Sequence, residues 1–327
     1  MKLLPAIVLL ALAMVSIPAH VAATEPAVNQ HPPGRLISVN GTSLWIETEG
    51  RGEPLVVLPG GPAASHAVMH PTFSSLANKH TIIYYDYRGR GRSKPTARAT
   101  FAEDVEDLEA LRVALGLKQM SIYGFSYGGL VAQAYALAHP DHVSHLVLAN
   151  TLYSAEMWKL NHANINAEMQ NQYPEVWEQI EALRAHGAHS SSPEMQKLFS
   201  VHGGITRWFN PDNAKLLRKE AGSFNPSLYW QFVGEDIDFL NGGEVATLPD
   251  FRPRLKELRM PVMILAGRFD RALFPRMQFD FKHHCPQAIF VMLERSGSFG
   301  HIEEPETVMR LLRDFLDEST SRGSKAR

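Results

Sequence analysis

Short apolar runs alternate with longer amphipathic segments along most of the chain. Residues 54–58, 81–85, 119–123 and 143–149 are mostly apolar, and several of these runs end in polar or glycine-rich turns. Short apolar runs of this kind are typical of strands buried on both faces of a parallel sheet. The pattern therefore predicts a sheet that helices cover on both sides.

Helical periodicity fills the gaps between these runs. Thr100 and Glu103 match the capping-box pattern ahead of apolar residues that recur every three or four positions, and residues 128–139 predict a second helix. Asn40-Gly41 lies between two short β-like runs and predicts a hairpin. Because strands and helices alternate at this pace, we expect an α/β fold with a mostly parallel central sheet flanked by helices.

One long segment interrupts the alternation. Over residues 151–250, polar amphipathic stretches replace the apolar runs, which predicts an inserted helical cap. Residues 261–266 and 288–293 then resume the strand pattern, and residues 307–316 predict a closing helix. The predicted core comprises residues 36–150 and 251–318.

The N-terminus has the pattern of a secretory signal peptide. Lys2 precedes an apolar run at residues 3–17, and small residues lead to a predicted cleavage after Ala23. The run is shorter than the roughly 20 residues of a spanning helix, so a retained anchor is the less favoured alternative. Residues 1–23 are therefore predicted to be a signal peptide and residues 24–35 a flexible lead. The expected location is the periplasm or the medium, without stable membrane association after signal removal.

Composition and charge exclude several classes of protein. The chain is 45% hydrophobic with a formal net charge of −2, so electrostatics gives no reason to expect nucleic acid as a partner. Cys285 is the only cysteine, which rules out an internal disulfide. The adjacent His283 and His284 lack the spacing of a metal site, and no dinucleotide-binding pattern occurs. We expect neither a metal nor a cofactor.

A nucleophile motif stands where a predicted strand meets a predicted helix. Gly124-Phe125-Ser126-Tyr127-Gly128 matches Gly-x-Ser-x-Gly. A sharp strand-to-helix turn holds the serine in a strained backbone, and the N-terminus of the helix favours developing negative charge. Ser126 is therefore the predicted nucleophile.

A serine nucleophile needs a base and an acid that orients the base. In chain order after Ser126, Asp270 ends a strand and His301 lies in a glycine- and serine-rich loop before a helix. Catalytic groups of open α/β sheets gather at the carboxyl edge of the strands, so Asp270 and His301 are the predicted partners. Asp86 also follows a strand, but it precedes the serine.

The oxyanion hole is expected to combine two backbone N–H groups. One belongs to Tyr127 and the other to the glycine pair after residue 58, where Gly61 is preferred over Gly60. Pro62 has no N–H and cannot contribute.

Three motifs together resemble the proline iminopeptidase group of α/β-hydrolases. They are the Gly-Gly-Pro run at residues 60–62, the Asp-Tyr-Arg-Gly-Arg-Gly-Arg-Ser run at residues 86–93 and the nucleophile motif extended to Gly129. The resemblance implies an acyl-enzyme on Ser126 and acidic cap residues that hold the free amine of a short peptide or small amide. The cap segment holds 13 acidic and 7 basic residues. Its densest acidic group is Glu235, Asp236 and Asp238.

Two departures from the family pattern leave the substrate open. Leu-Pro precedes the glycine pair, and Arg268 and Arg271 stand near the predicted acid, where a cation would repel an ammonium group. An aminopeptidase is the leading hypothesis, and a carboxylesterase or lactonase for small hydrophobic esters is the alternative. A non-catalytic binding protein that keeps the fold is a third hypothesis. The sequence gives no indication of oligomeric state.

Overall fold

A computed structural model describes residues 32–218, 220, 222–235 and 242–323. The predicted signal peptide, the lead up to residue 31, and Asp236 and Asp238 lie outside these ranges. Within them, no helix is long and apolar enough to cross a membrane.

The described residues form one eight-stranded sheet in the order β1-β2-β4-β3-β5-β6-β7-β8. β1 and β2 are antiparallel to their neighbours, and every pairing from β4 through β8 is parallel, as predicted. The strands are β1 Gly34–Val39, β2 Thr42–Gly50, β3 Glu53–Leu58, β4 His80–Tyr85, β5 Met120–Phe125, β6 Val143–Ala149, β7 Val262–Gly267 and β8 Ile289–Leu293.

Local sequence signals explain several of these boundaries. Asn40 and Gly41 have φ values of 41° and 75°, the left-handed pair that a tight two-residue hairpin needs between β1 and β2. Thr100 accepts a hydrogen bond from the N–H of Glu103, whose side chain accepts one from the N–H of Thr100. The predicted hairpin and capping box are therefore confirmed.

Nine α-helices accompany the sheet in the described residues. They are α1 Phe101–Ala114, α2 Tyr127–Ala138, α3 Ala155–Gln172, α4 Pro174–Ala185, α5 Pro193–Ile205, α6 Pro226–Val233, α7 Pro275–His284, α8 Gly300–Glu303 and α9 Pro305–Gly323. Short 3-10 turns lie at His66–Met69, Thr72–Leu76, Pro140–His142, Pro211–Leu216, Glu244–Thr247 and Arg252–Glu257. The helices α3 to α6 fall in the predicted cap, where Ile165, Met169 and Ile180 form a small core of their own.

The two faces of the sheet carry separate apolar cores. On one face α1 and α2 contribute, with Leu108 and Leu130 fully buried. On the other face α9 and the turn before β4 contribute, with Leu312 and Phe73 fully buried. Because side chains alternate along a strand, Tyr123 and Phe125 of β5 share the second face, next to the predicted nucleophile.

Some boundaries differ from the prediction. β1 begins at Gly34, inside the predicted lead, because Gly34 already pairs with Glu47 of β2. The last helix spans Pro305–Gly323 and so extends beyond the predicted range of 307–316 at both ends. His301 does not lie in the loop after β8 but in the first turn of α8, since the loop ends at Phe299.

Candidate active site

Ser126 lies at a strained turn between β5 and α2. Its backbone has φ 50° and ψ −118°, a conformation that residues other than glycine rarely adopt. The N–H of Ser126 donates to the carbonyl of Ala149 at 3.0 Å, and the Thr151 hydroxyl donates to the carbonyl of Ser126 at 2.6 Å. These two bonds fix the turn, and Ser126 keeps partial exposure at the end of a buried strand.

The two motif glycines allow this turn because a side chain would not fit there. A Cβ atom on Gly128 would lie 2.5 Å from the carbonyl oxygen of Leu58, and one on Gly124 would lie 2.7 Å from the carbonyl oxygen of Gly128. The loop after β3 is therefore pressed directly against the nucleophile turn.

The glycine pair of that loop faces Ser126. A Cβ atom on Gly60 would lie 3.0 Å from Cβ of Ser126, and Gly61 has φ 78°. Tyr127 is the first residue of α2, so its N–H belongs to the group that has no partner within the helix. The arrangement is compatible with the predicted oxyanion hole of Gly61 and Tyr127, which stays a prediction.

Asp270 is fully buried just after β7 and its carboxylate accepts four hydrogen bonds. Oδ1 accepts from the N–H groups of Ala272 and Leu273 at 2.9 and 2.8 Å. Oδ2 accepts from the hydroxyl of Ser298 at 2.7 Å and from the amide of Asn150 at 3.2 Å. Burial raises the pKa of Asp270, and these bonds partly oppose the shift.

His301 points away from this carboxylate. Its ring packs edge-on against Phe125 at a centroid distance of 4.8 Å, and Phe73, Tyr123 and Phe299 lie 6.3 to 6.4 Å away. No described side chain forms a hydrogen bond with either ring nitrogen, and the backbone of Val68 is a polar group near the ring. Burial lowers the pKa of His301 to about 4, which the backbone of Val68 opposes only in part.

The structure therefore brings Ser126 and Asp270 to one edge of the sheet but does not form the predicted relay through His301. The described side chain that donates to Asp270 from the loop after β8 is Ser298, three residues earlier. Sequence reasoning chose His301 as the histidine of that loop, whereas the helix that holds it directs the ring into the aromatic core.

A cavity of about 370 Å³ opens above Ser126. The loop after β3 and the nucleophile turn form its floor, and cap residues form much of its wall. The apolar lining is Val68, Phe125, Leu152, Trp158, Ile165, Phe199, Leu217, Phe224, Tyr229 and Phe299. The cavity thus has the size and apolar character of a small-molecule site.

Arg207 is the positive charge of this cavity. It is partly buried, and its charge lowers the pKa values of both Asp270 and His162, in each case as a smaller effect than burial. No Asp or Glu occurs among the described residues that line the cavity. Sequence reasoning missed Arg207, because a single arginine in a cap segment carries no motif.

The arginines that the sequence singled out lie elsewhere. Arg268 forms an exposed ion pair with Glu294, and Arg271 pairs with Glu168 of α3 at 3.1 Å. Glu235 also lies outside the cavity lining, and its carbonyl accepts a hydrogen bond from the N–H of Ser190 at 2.8 Å. The expected repulsive cation near the acid is therefore supplied by Arg207 and not by Arg271.

A second cluster of buried charges lies beside β2. His66 lies 2.7 Å from Asp86 and 3.2 Å from Glu47, and His70 lies 3.3 Å from Glu47. Burial lowers the pKa of His66, but the hydrogen bonds to Asp86 and Glu47 outweigh it and raise the pKa to about 9. Burial raises the pKa of Glu47, but the hydrogen bonds to His66 and His70 outweigh it and lower the pKa.

The donor set of Glu47, His66 and His70 could in principle ligate a metal ion. However, Arg92 already donates to Oε1 of Glu47 at 2.9 Å, and a guanidinium competes with a cation at that oxygen. The second such group, Glu109 with His139 and His142, likewise has an arginine, Arg112, on its carboxylate. Both groups are explained by charge pairing within the protein.

The parallel sheet, the strained serine turn between β5 and α2 and the cap above it define a hydrolase fold. The chain matches the alpha/beta hydrolase fold family over residues 53–305 and belongs to that family. Within it the chain resembles the proline iminopeptidase group, as its motifs predicted.

Known relatives support this placement. A proline iminopeptidase of Xylella fastidiosa is 32% identical over 306 residues, which cover 88% of this chain and 96% of the relative. One from Heyndrickxia coagulans is 28% identical over 277 residues, covering 83% of this chain and 93% of the relative. The solved proline iminopeptidase of Mycobacterium smegmatis shares the fold with a TM-score of 0.69 at 22% identity, covering 88% and 98% of the two chains.

Proposed function

We propose that this protein is a serine hydrolase of small esters or lactones, with Ser126 as nucleophile and Arg207 as the contact for an anionic group of the substrate. The observation that carries the proposal is the cavity above Ser126, which is apolar except for a few polar groups and contains a cation but no described carboxylate. This favours the carboxylesterase or lactonase hypothesis over the aminopeptidase hypothesis.

The chemistry follows from the position of Ser126. Its hydroxyl oxygen attacks the substrate carbonyl, and the negative oxygen that forms is stabilised by the N–H groups of Gly61 and Tyr127 and by the N-terminus of α2. The alcohol leaves with a proton, and the acyl group remains on Ser126. Water then releases the acid and regenerates the serine. The step that needs a base is the removal of the serine proton.

Electrostatics distinguishes the candidate substrates. A guanidinium in an apolar, partly dehydrated cavity attracts a carboxylate or a polarised carbonyl and repels an ammonium group. Arg207 lines the cavity and its charge also acts on Asp270, so the guanidinium lies where a ligand of the cavity would meet it. A substrate with a free amine would have to enter against this charge.

The second candidate is an aminopeptidase of proline iminopeptidase type acting on short peptides or small amides. It is favoured by the named activity of the relatives at 28% and 32% identity. It requires acidic side chains close to Ser126. Glu235 is the described member of the acidic group predicted for that role, and it does not line the cavity.

One experiment separates the two candidates. We would compare hydrolysis of p-nitrophenyl butyrate, the p-nitrophenyl monoester of glutarate, and prolyl- and alanyl-naphthylamide, with Ser126→Ala as control. We expect ester turnover that Ser126→Ala abolishes, and a KM for the glutarate ester that rises at least about tenfold in Arg207→Gln, as for loss of one charged contact.

Arg268→Gln is the matched control, because it removes an arginine whose charge is paired outside the cavity. Turnover of the free-amine amides at a higher kcat/KM than either ester would contradict the proposal and favour the aminopeptidase. If Arg207→Gln and Arg268→Gln had equal KM values for the glutarate ester, Arg207 would not contribute to substrate binding.

Export is a separate part of the proposal and rests on the sequence of residues 1–23 alone. We expect the protein, expressed with its full chain in a bacterial host, to be recovered outside the cytoplasm with a new N-terminus at Thr24. N-terminal sequencing of the periplasmic and culture-medium fractions measures this. Recovery of the uncleaved chain in the cytoplasm would contradict it.

A further inference from the structure

We propose that Ser298 occupies the place of the general base in this site, so that Ser126 has no imidazole partner in the described part of the chain and the wild-type protein turns substrate over slowly. The inference rests on the proposed function, since it concerns the same Ser126. In a serine hydrolase, the base is the side chain that bridges the acid and the nucleophile. In this chain the described side chain that reaches the acid from the loop after β8 is a serine.

The first argument is the contact with Asp270. The Ser298 hydroxyl donates to Oδ2 at 2.7 Å, and Asn150 and two backbone N–H groups bring the total to four donors. An ionised carboxylate offers about four acceptor positions, so these donors saturate it. An imidazole from elsewhere would have to displace Ser298 to reach Asp270.

The second argument is the position of Ser298 between the acid and the cavity. Its N–H donates to the carbonyl of Arg207 at 2.7 Å, and the following residue, Phe299, lines the cavity. A Cβ atom on Gly297 would lie 2.2 Å from that same carbonyl oxygen, so the loop is held tightly under the cap. Ser298 thus donates to the buried acid and directly precedes a residue of the cavity wall.

The third argument is that His301 is held in its present place. Gly297 donates to Glu303 at 2.7 Å, and the Ser296 hydroxyl donates to Glu304 at 2.6 Å, which ties α8 back to the loop. To bring His301 to the place of Ser298, the chain would have to shift by three residues and break both contacts. The ring would also have to leave its aromatic surroundings.

Among the described residues, His162 is the histidine that lines the cavity. Nδ1 of His162 lies 3.2 Å from the carbonyl oxygen of Trp158 in the same helix, and burial lowers its pKa to about 3. His162 is therefore tested beside His301.

The chemical consequence concerns the serine proton. A serine hydroxyl does not accept a proton at neutral pH, so Ser298 holds Asp270 but cannot deprotonate Ser126. The proton of Ser126 passes to water, and the leaving oxygen takes one from water. The oxyanion hole and binding alone retain roughly 10³- to 10⁴-fold over the uncatalysed reaction in hydrolases that lack a triad member.

The decisive variant is Ser298→His, measured with p-nitrophenyl butyrate. An imidazole on Asp270 should raise kcat/KM about 10²- to 10⁴-fold, the usual contribution of general-base catalysis. The gain in kcat/KM should depend on pH through a new group, the introduced imidazole, that titrates between pH 6 and 8. It should vanish in Ser298→His/Asp270→Asn. Ser298→Gln is the matched control, since it supplies a similar volume without a base.

Ser298 is only 4% exposed, and histidine is larger than serine. A second test therefore uses a smaller side chain at this position. Ser298→Gly opens space beside Asp270, and added imidazole should restore turnover in proportion to its neutral form. His301→Phe should change the wild-type kcat/KM by less than threefold. His162→Gln changes a side chain of the cavity wall, so its KM is free to shift, but its kcat should show no loss of the size expected for removal of a general base.

A loss of about 10³-fold in either histidine variant, the size expected for removal of a general base, would overturn the proposal and identify that histidine as the base. The absence of any gain in both Ser298→His and imidazole-treated Ser298→Gly, in folded protein, would overturn it as well. Failure of the proposed function can be told apart from failure of this inference. If Ser126 were not a nucleophile, a fluorophosphonate would not label it in Ser298→His, although the variant folds and binds ester.

Discussion

Two buried histidines of this protein have opposite electrostatic environments. His66 lies between Asp86 and Glu47, and its pKa rises to about 9. His301 lies among aromatic rings, and its pKa falls to about 4. Both rings are about 1% exposed, so burial alone does not explain the difference. The carboxylates around the ring decide whether a buried histidine is charged.

The comparison also shows that the position of a histidine in the sequence does not determine which side chains it contacts. His301 follows the last predicted strand and is preceded by glycine and serine, which is where a hydrolase base is expected. A general base needs an acid to orient it, and the carboxylate of Asp270 contacts Ser298 instead. Of the two histidines compared, His66 is the one with acid partners, and it belongs to a structural network beside β2.

The largest expected effect comes from breaking the charged network. His66→Phe removes the cation between Glu47 and Asp86 and leaves buried carboxylates short of a partner. We expect the free energy of unfolding at pH 7 to fall by about 3 to 5 kcal/mol, the usual range for one broken buried ion pair. Urea denaturation measures it.

The same substitution at the other histidine, His301→Phe, is the control for ring shape and volume. If both variants lost equal stability, the pairing of His66 with Glu47 and Asp86 would not be what stabilises this region.

The next effect is a loss of stability in acid that depends on His301. Its pKa is about 4 in the folded state and 6.5 in the unfolded chain, so the unfolded state binds more protons between these values. The contribution of the neutral His301 ring to the free energy of unfolding is fully present above pH 6.5. It is lost as pH falls towards 4, by up to about 3 kcal/mol. We expect Tm of the wild type to fall more steeply than that of His301→Phe across this window.

The difference between the two Tm curves isolates His301, because every other titrating group is shared. Parallel curves from pH 7 to pH 4 would mean that His301 is solvated or charged in the folded protein. His66 acts in the opposite direction: its raised pKa gives stability that is present below pH 6.5 and lost as pH rises through about 9.

A smaller effect on stability is expected at Asp270, the predicted acid at the carboxyl edge of the sheet. Ser298→Ala removes the hydroxyl that donates to Asp270 at 2.7 Å and leaves a buried carboxylate with one donor fewer. A hydrogen bond to a charged group contributes about 1.5 to 3 kcal/mol, so we expect a loss in that range by chemical denaturation. Ser38→Ala, which changes an exposed serine of β1, should alter stability by less than about 0.5 kcal/mol.

If Ser298→Ala were neutral, the bond to Asp270 would contribute nothing to the folded state. The loop would then be held by its backbone contacts alone.

Much of the fold could be predicted because its signals are local. The Asn40-Gly41 turn and the Thr100 capping box act within a few residues and were confirmed. The position of Ser126 at a strand–helix turn was also predictable, since the motif and the apolar run adjoin. These elements depend on backbone conformation and periodicity, which the sequence displays directly.

The parts of the site that could not be predicted depend on contacts between distant segments. Arg207 enters the cavity from the cap, more than 80 residues after Ser126, and no motif marks it. The orientation of His301 depends on where α8 begins, and a difference of a few residues there decides which side chain meets Asp270. Helix boundaries are the least certain feature that a sequence displays, so the surroundings of His301 could not be predicted from its position after the last strand.

The smallest expected effect is that of His301→Phe at pH 7.5. The ring already packs edge-on against Phe125 and has no hydrogen bond to a described side chain, so phenylalanine loses only the contact with the backbone of Val68. We expect stability to change by less than about 1.5 kcal/mol, the range for volume-conserving core substitutions.

His301→Asn, which puts a shorter polar side chain into the same aromatic surroundings, should destabilise the protein more, by about 1 to 3 kcal/mol for an unsatisfied buried polar group. Because both variants lack an imidazole, their difference reports on the surroundings of the ring alone. If asparagine were tolerated better than phenylalanine, His301 would face a polar partner, and the contrast with His66 would no longer hold.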